Sequence, residues 1–593
     1  MSRDLYPLSL RQLLAGAVRE WERDRRILGL SAGRFWRSPE DVDLSDTIMG
    51  HRVATPLGPA AGPHTQLAGN IVLGWLAGGR VFELKTVQAL DALNIPRPCI
   101  DMATVGYNVE WSQELALEQS LREYAKAHLA LAILGRWEPL REVLGEPGPH
   151  LFELSVGYDL AGLRGGKMTD FLARAADITA LVDALREEVP PPLRRLADAP
   201  VPSRLAASAT LSTFHGCPPE EIDGIVRHLM DAHDLDVTVK LNPTLLGYER
   251  VREILHDRLG YTHVELDPDA FAADLQPDAA VELLAGLAEH AAAHGRRLGV
   301  KLTNTLVVRN PGAPLPGETR YLSGPPLHVL AVTLLAELEA LLPGRLATAG
   351  GDLPVAFSAG IDHRNVAAAA GCGLSPVTSC SSLLKPAGYG GLQRQARVLA
   401  DALRTAGCAD LAAWRAQRRE AARAAGHPTA AAALAAALAT PAGAAPYAAA
   451  AVEKPPRRVD RRLTLWDCSS CNLCVAVCPN GAMLRLARPD GLADRLERKW
   501  QFLCLADLCN DCGNCATFCP ETGAPHRDKP RLHLARPAPS QPGQYALVPD
   551  GERWSVRGEP DAAVVAAVID GAGGLVWRPE DAPGGPAGAA SGQ

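Results

Sequence analysis

Two stretches near the C-terminus carry cysteines at a spacing that can wrap a cofactor. The first reads Cys468-Ser-Ser-Cys471-Asn-Leu-Cys474-Val-Ala-Val-Cys478-Pro479, and the second reads Cys509-Asn-Asp-Cys512-Gly-Asn-Cys515-Ala-Thr-Phe-Cys519-Pro520. Each is a Cys-x2-Cys-x2-Cys-x3-Cys-Pro run, the spacing that holds a cubane iron–sulfur cluster. Three close cysteines cover one face of the cube, and the fourth of each run ligates the other cluster. The expected sets are therefore Cys468, Cys471, Cys474 and Cys519 for one [4Fe-4S] cluster, and Cys509, Cys512, Cys515 and Cys478 for the other. Structural zinc also uses Cys-x2-Cys pairs, but it gives no reason for an x3-Cys-Pro tail that occurs twice. Cys504 fits no ligand slot and reads as a buried structural cysteine. A chain with two such clusters handles single electrons.

Upstream, residues 51–405 alternate short apolar runs with longer amphipathic ones. The strand-like runs are 53–58, 81–86, 151–156, 206–213, 237–241, 299–303, 355–359 and 375–379. Helical periodicity fills stretches such as 64–77, 111–134, 219–233, 278–294 and 325–342. The 219–233 helix opens on Pro218-Pro219-Glu220-Glu221, which suits a first turn in backbone angle and in charge. Eight strands alternating with helices predict an α/β fold, a (β/α)8 TIM barrel. A doubly wound sheet satisfies the same count.

In such a barrel the chemistry sits at the C-terminal ends of the strands. Those ends read Pro56-Leu-Gly-Pro-Ala-Ala61-Gly62, Lys85-Thr86, Thr213-Phe-His215-Gly-Cys217-Pro218, Lys240-Leu-Asn242-Pro243, Thr303-Asn304-Thr305, Ser358-Ala-Gly360 and Thr378-Ser-Cys380-Ser381. The small residues after strand 1 let backbone approach a flat ligand. Gly and Ser after strands 7 and 8 mark the usual phosphate pocket of the fold. Two lysines and an asparagine at neighbouring tips suit an anionic ring, which a reduced flavin presents. Each of these residues taken alone has a structural reading as well, and the case rests on their joint placement.

These strings carry a resemblance. Pro56–Gly62, Glu83-Leu-Lys-Thr86, Asn108-Val-Glu-Trp-Ser112, Lys240-Leu-Asn-Pro243, Thr303-Asn-Thr305, Ser323-Gly324, Ser358-Ala-Gly-Ile-Asp362 and Cys380-Ser381 resemble the FMN barrel of dihydroorotate and dihydropyrimidine dehydrogenases. Barrel plus cysteine module resembles the C-terminal half of dihydropyrimidine dehydrogenase. With Gly58-Pro-Ala-Ala-Gly-Pro-His-Thr-Gln-Leu67 and Ser212-Thr-Phe-His-Gly-Cys-Pro-Pro219, residues 1 to about 535 resemble the selenate reductase subunit family. The resemblance implies a dihydroorotate dehydrogenase-like barrel with FMN held by Ala61, Gly62, Lys85, Thr86, Lys240, Thr303, Gly324, Gly360, Cys380 and Ser381. It implies that Asn108, Asn304 and Thr305 face the substrate. Dihydropyrimidine dehydrogenases read Asn-x-Ser-Cys-Pro after strand 4, with the cysteine as proton donor. Here that place falls to His215 or Cys217; His titrates near neutrality, while a cysteine needs a perturbed environment.

The expected organisation is a helical segment over 1–50, the barrel over 51–405, and an Ala/Pro-rich, partly helical connector over 406–459. A two-cluster bacterial ferredoxin-like α+β domain follows over 460–535, and then a tail over 536–593. The tail has a β-like patch near 545–577 and a disordered end from Pro583. A net charge of -7 without a dense basic run argues against a nucleic-acid partner. No run reaches the ~18 apolar residues of a membrane helix, and the N-terminus has no signal-peptide pattern. Fourteen cysteines, eight of them in the runs, imply a reducing cytoplasm. No Gly-x-Gly-x-x-Gly turn is present, and the stretch after Cys519 is shorter than a nicotinamide–flavin module needs. Electrons are thus expected to pass to or from a partner, such as a flavoprotein subunit or a ferredoxin. The expected activity is that of a cytoplasmic iron–sulfur flavoprotein oxidoreductase. Its FMN exchanges hydride with a small substrate, a heterocycle among the candidates. The alternatives are an electron-transfer subunit of a larger reductase or molybdenum-enzyme complex, and a dihydropyrimidine or dihydroorotate dehydrogenase.

Overall fold

A computed structural model describes residues 5–90, 93, 95–109, 112–212, 215–312, 315–534, 541–550, 553–559 and 562–571. Eight parallel strands form its central sheet: β1 (Leu57–Pro59), β2 (Val81–Glu83), β3 (Leu151–Val156), β4 (Ser208–Ser212), β5 (Asp236–Leu241), β6 (Leu298–Leu302), β7 (Val355–Phe357) and β8 (Val377–Ser379). The order runs β1-β8-β7-β6-β5-β4-β3-β2. The two edges then meet, since Arg80 N–H donates to the Leu57 carbonyl at 2.7 Å. At the same seam Gly58 lies so close to β2 that an added Cβ would stand 1.6 Å from the Val81 carbonyl oxygen. The sheet is therefore a nearly closed TIM-type barrel rather than a doubly wound sheet. Its strands are buried on both faces, as helix-wrapped parallel strands must be; all six residues of β3 are buried.

The outer helices follow the apolar periodicity of the sequence. Pro219–His233 opens on proline and two glutamates, and Pro277–Ala293 and Pro325–Leu341 also begin at proline. Residues 1–50 differ from a purely helical segment. One helix, Leu10–Asp24, is capped by Ser9 with Gln12 reciprocating. Two hairpins follow, pairing 26–27 with 30–31 and 46–48 with 51–53. Their two-residue turns, Leu28-Gly29 and Met49-Gly50, have φ of 49° and 79°, and 46° and 82°. Positive φ at both turn positions matches the right-handed strand twist and favours glycine second.

The Ala-rich stretch is helical over Leu411–Ala424 and Ala430–Ala439 and lies on the barrel. Thr429 caps the second helix and also donates to Glu339 of the Pro325–Leu341 helix. Ala430 and Ala431 are buried there, and small side chains let the two helices approach closely. Among the described residues no single helix is long and apolar enough to cross a membrane; the Ala-rich pair 430–439 and 441–447 bends by 89°.

Two further sheets complete the chain. A four-stranded antiparallel sheet, Leu306–Arg309, Thr319–Leu322, Tyr107–Asn108 and Ile100–Asp101, covers the barrel mouth. A five-stranded sheet is formed by Met483–Ala487, Trp500–Leu505, Arg531–His533, Gln544–Asp550 and Arg553–Glu559; the first cysteine run leads into its first strand and the second lies on the connection from Trp500–Leu505 to Arg531–His533. Within the patch near 545–577 the last two strands are β as expected, but Ala562–Gly571 is helical; the remainder of the patch lies outside the described residues, as does the end from Pro583.

Candidate functional site

The strand ends and the antiparallel sheet enclose a cavity of about 770 Å³. Ala61 and Gly62 line it from the turn after β1, and Lys85 and Thr86 from beyond β2. Lys240 enters from β5 and Thr303, Asn304 and Thr305 from the end of β6. Gly360, Cys380 and Ser381 come from the loops after β7 and β8, while Gly324 and Asn108 come from the covering segments. His215 lines the cavity from the loop after β4. Cys217 does not: it is 3% exposed, and burial, then Glu221 and Asp274, push its thiol up to about 12. Thr213, Phe214, Glu110 and Trp111 lie outside the described residues.

The cavity wall includes a buried set of charges. Glu83 pairs with Lys301, both fully buried, and accepts the Ala61 amide at 2.9 Å. Burial opposes ionisation of Glu83, but Lys301 and Lys240 outweigh it and hold its pKa below the usual carboxylate range. Glu153, beside it, is pushed up to about 7 by burial and by the charge of Glu83. Burial lowers Lys85 to about 8, against the pull of Glu114, and lowers Lys240 to about 8, against the pull of Glu83. A dry site holding two ammonium groups of depressed pKa favours a ligand that brings negative charge.

The backbone beside these charges has no room for side chains. A Cβ on Gly360 would stand 2.3 Å from the Gly324 carbonyl oxygen, and one on Gly324 2.2 Å from that of Val105. Both glycines have positive φ, 57° and 79°, so their conformation as well as their packing excludes other residues. Ser381 Oγ donates to Ser323 Oγ at 2.9 Å, joining two of the loops. The Thr378 hydroxyl on β8 is buried in the lining and, among the described residues, has no hydrogen-bond partner. A glycine-walled slot that carries both lysines and hydroxyls fits a flat, anionic, phosphate-bearing group such as FMN.

His215 is held on both sides. Its Nδ1 lies 2.7 Å from Asp274 Oδ2 and its Nε2 lies 3.3 Å from the Thr305 carbonyl. Tyr321 stacks on the ring at a centroid distance of 5.8 Å. Asp274 also accepts from the Gly216 amide at 2.6 Å, Thr244 Oγ1 at 2.6 Å and Asn242 Nδ2 at 3.2 Å. Burial opposes its ionisation, but the histidine, Thr244 and the Gly216 amide hold its pKa below the usual range. Asp274 therefore fixes the imidazole and keeps a negative charge beside it. Sequence reasoning missed Asp274, because Phe271-Ala-Ala-Asp274 has no motif. It also missed Glu83 as a partner of Lys301, although both stand on strands.

Of the eight run cysteines, Cys468, Cys471, Cys474 and Cys519 are the first expected group and Cys478, Cys509, Cys512 and Cys515 the second. Cys474 feels the charges of Cys468, Cys471 and Cys519, while Cys515 feels those of Cys509 and Cys478 and also that of Cys474 from the first group. Cys512 feels Cys99, Cys478 and Cys515. Burial raises the thiols of Cys474, Cys512 and Cys515. Asp467, Ser470, Asn472 and Asp511 in these loops have positive φ, which for non-glycine residues is held only where the surroundings impose it. Cys504 is fully buried on the strand beside Cys509.

The second group abuts the barrel mouth. The Cys512 carbonyl accepts from the Ile100 amide at 3.4 Å, and Asn514 Nδ2 donates to the Leu384 carbonyl at 2.8 Å. Ile100 and Leu384 both line the cavity. Asn510, between Cys509 and Cys512, donates to Glu114 at 2.8 Å; Glu114 also pairs with Arg97 and acts on Lys85. In the first group Cys471 is exposed, while Cys468, Cys474 and Cys519 are buried.

Comparison with known proteins bears on the barrel. A profile of the family described as "Oxidoreductase YgfK, N-terminal TIM-barrel domain" matches residues 28–427. The oxidoreductase YgfK of Escherichia coli (strain K12) and that of Escherichia coli O157:H7 are each 38% identical over 403 residues. The match covers 65% of this chain and 38% of each relative, so the chain spans well under half of their length. The name does not speak to selenate. Two solved structures of DHODH from Eimeria tenella, one ligand-free and one in complex with ferulenol, are 16% identical. Their TM-scores are 0.40 and 0.39, over 64% and 70% of this chain and 92% and 96% of theirs.

Proposed function

Because this chain belongs to the YgfK oxidoreductase family, we propose that it is an iron–sulfur flavoprotein that couples a small-molecule redox reaction in the barrel to one-electron exchange with a partner. The observation that carries this reading is the direct packing of the Cys509–Cys515 loop on the wall of the glycine-lined, lysine-bearing cavity. Ala61, Gly62, Gly324 and Gly360 would let backbone meet the faces of FMN, with Thr303 and Cys380 beside them. Ser381, with Thr378, would take its phosphate. Lys85 and Lys240 would stand against its negative charge, and Thr86, held by Ser155 at 2.8 Å, would fix the neighbouring wall. When bound, FMN supplies hydride exchange with a substrate and one-electron exchange with the clusters.

The chain's own residues supply position, dryness and a proton. Asn108, Asn304 and Thr305 orient a heterocyclic substrate over the cavity, under the antiparallel sheet that excludes water. His215 moves the proton: Asp274 anchors Nδ1, and Nε2 stands beside the substrate-facing Thr305. Burial away from the cavity and a raised pKa count against Cys217 in that role. Cys478, Cys509, Cys512 and Cys515 would hold the inner [4Fe-4S] cluster. Cys468, Cys471, Cys474 and Cys519 would hold the outer one, where a flavoprotein or ferredoxin partner meets the exposed Cys471 edge. Fourteen free cysteines suit the reducing cytoplasm.

Anaerobic reduction of the reconstituted full chain by a one-electron donor should bleach the flavin band. Cys512→Ala should stop that bleaching while light-driven reduction of the flavin persists. Bleaching that is unchanged in Cys512→Ala would overturn the relay.

A further inference from the structure

On the outer wall of the barrel, Asp231, His290 and His294 converge. The helix Pro219–His233 supplies Asp231, and the helix Pro277–Ala293 with its C-cap supplies the two histidines. The histidines are four residues apart and so share one face of a helix. Their rings lie 4.1 Å apart, centroid to centroid. One ligand atom from each of the three residues lies within 4.8 Å of the others.

The hydrogen bonds around the rings assign their lone pairs. Arg227 Nη1 lies 2.6 Å from His290 Nδ1. A guanidinium can only donate, so Nδ1 is bare and the ring proton sits on Nε2, facing Asp231 Oδ1 at 2.7 Å. His294 Nδ1 lies 2.8 Å from the His290 carbonyl. A carbonyl can only accept, so Nδ1 carries the proton and Nε2 is bare. A histidine that donates one ring N–H to a carbonyl has the arrangement that orients metal-ligating imidazoles.

We propose that Asp231, His290 and His294 bind a borderline divalent cation of the zinc class. Two imidazoles and one carboxylate suit zinc, nickel or copper and not magnesium or calcium, which prefer all-oxygen shells. The cation displaces the proton on His290 Nε2, which passes to solvent, and solvent fills the remaining positions. In a tetrahedral shell with bonds of about 2.0–2.2 Å, ligand atoms stand about 3.4 Å apart. Rotation of Asp231 and His294, both exposed, about the half-buried His290 covers the difference. The nearby positive charge of Arg227 is offset by Asp223, which it contacts at 2.7 Å. The bound cation ties two neighbouring barrel helices together.

Full-length protein with its iron retained, treated with a chelating resin to strip adventitious metal, is titrated with zinc by calorimetry and with cobalt(II) by visible absorption. Wild type should take up one equivalent that His294→Ala and Asp231→Asn bind more than about 100-fold more weakly. Zinc should also raise the melting temperature of wild type and not of the variants, each compared with its own metal-free melting. Equal zinc stoichiometry and affinity in wild type and both variants would overturn the proposal.

Discussion

Binding of FMN should draw protons into the protein, because Lys85 and Lys240 are buried with their pKa values lowered to about 8. At pH 8 each is about half protonated. A ligand that brings negative charge between them raises both values. Each then takes up about half a proton, about one in all. At pH 7 each is already about nine-tenths protonated, and the total falls to about 0.2. The ligand's own phosphate titrates near pH 6 and adds little at pH 8. Calorimetry of FMN binding to flavin-stripped protein, in buffers of different ionisation enthalpy, reads the proton count as a slope. Lys240→Met should halve the uptake at pH 8. No uptake at pH 8, or the same uptake at both pH values, would refute the reasoning. The same linkage has a sign for stability. The unfolded lysines hold their protons up to about 10.5, so between about pH 8 and 10.5 the unfolded state binds more protons and stability of the ligand-free protein rises with pH.

Other substitutions test the surroundings. Glu83→Gln leaves Lys301 buried without its partner and should cost about 3–5 kcal/mol in a denaturant titration of the barrel; pairing it with Lys301→Met should restore most of that. Because the Glu83 pKa is lowered on folding, its contribution is present above the usual carboxylate range and should fade as pH falls below it. His215→Asn should slow the proton-transfer step by about 10²-fold or more while flavin affinity stays unchanged, read by turnover with a dye acceptor and by flavin fluorescence. Cys474→Ala should lower iron by about four atoms per chain and leave flavin content unchanged; joint loss of both would count against separate sites.

Much of the barrel was legible in the sequence. The strand-like runs at 151–156, 237–241 and 299–303 lie within a residue of β3, β5 and β6, because parallel strands buried on both faces are near-continuous apolar runs. Strand ends then gave the lining of the cavity, since the fold puts those positions at one mouth. The cover was not legible. Tyr107–Asn108 and Thr319–Leu322 are too short to show a period and pair across more than two hundred residues. The hairpins near residues 26–53 had a signal, glycine second in each turn, but their strands are only two or three residues long. Asp274 was hidden because its role depends on three elements converging on one carboxylate. Cys217 read as a candidate from its neighbour Pro218, and only burial separates it from His215.

The most direct test of the account is the cofactor content of the full chain purified without oxygen. Iron, acid-labile sulfide and flavin released on denaturation should come to about eight, eight and one FMN per chain, as two four-iron clusters and one barrel site require. Iron and sulfide at those levels without any flavin, and no FMN binding on addition, would contradict it.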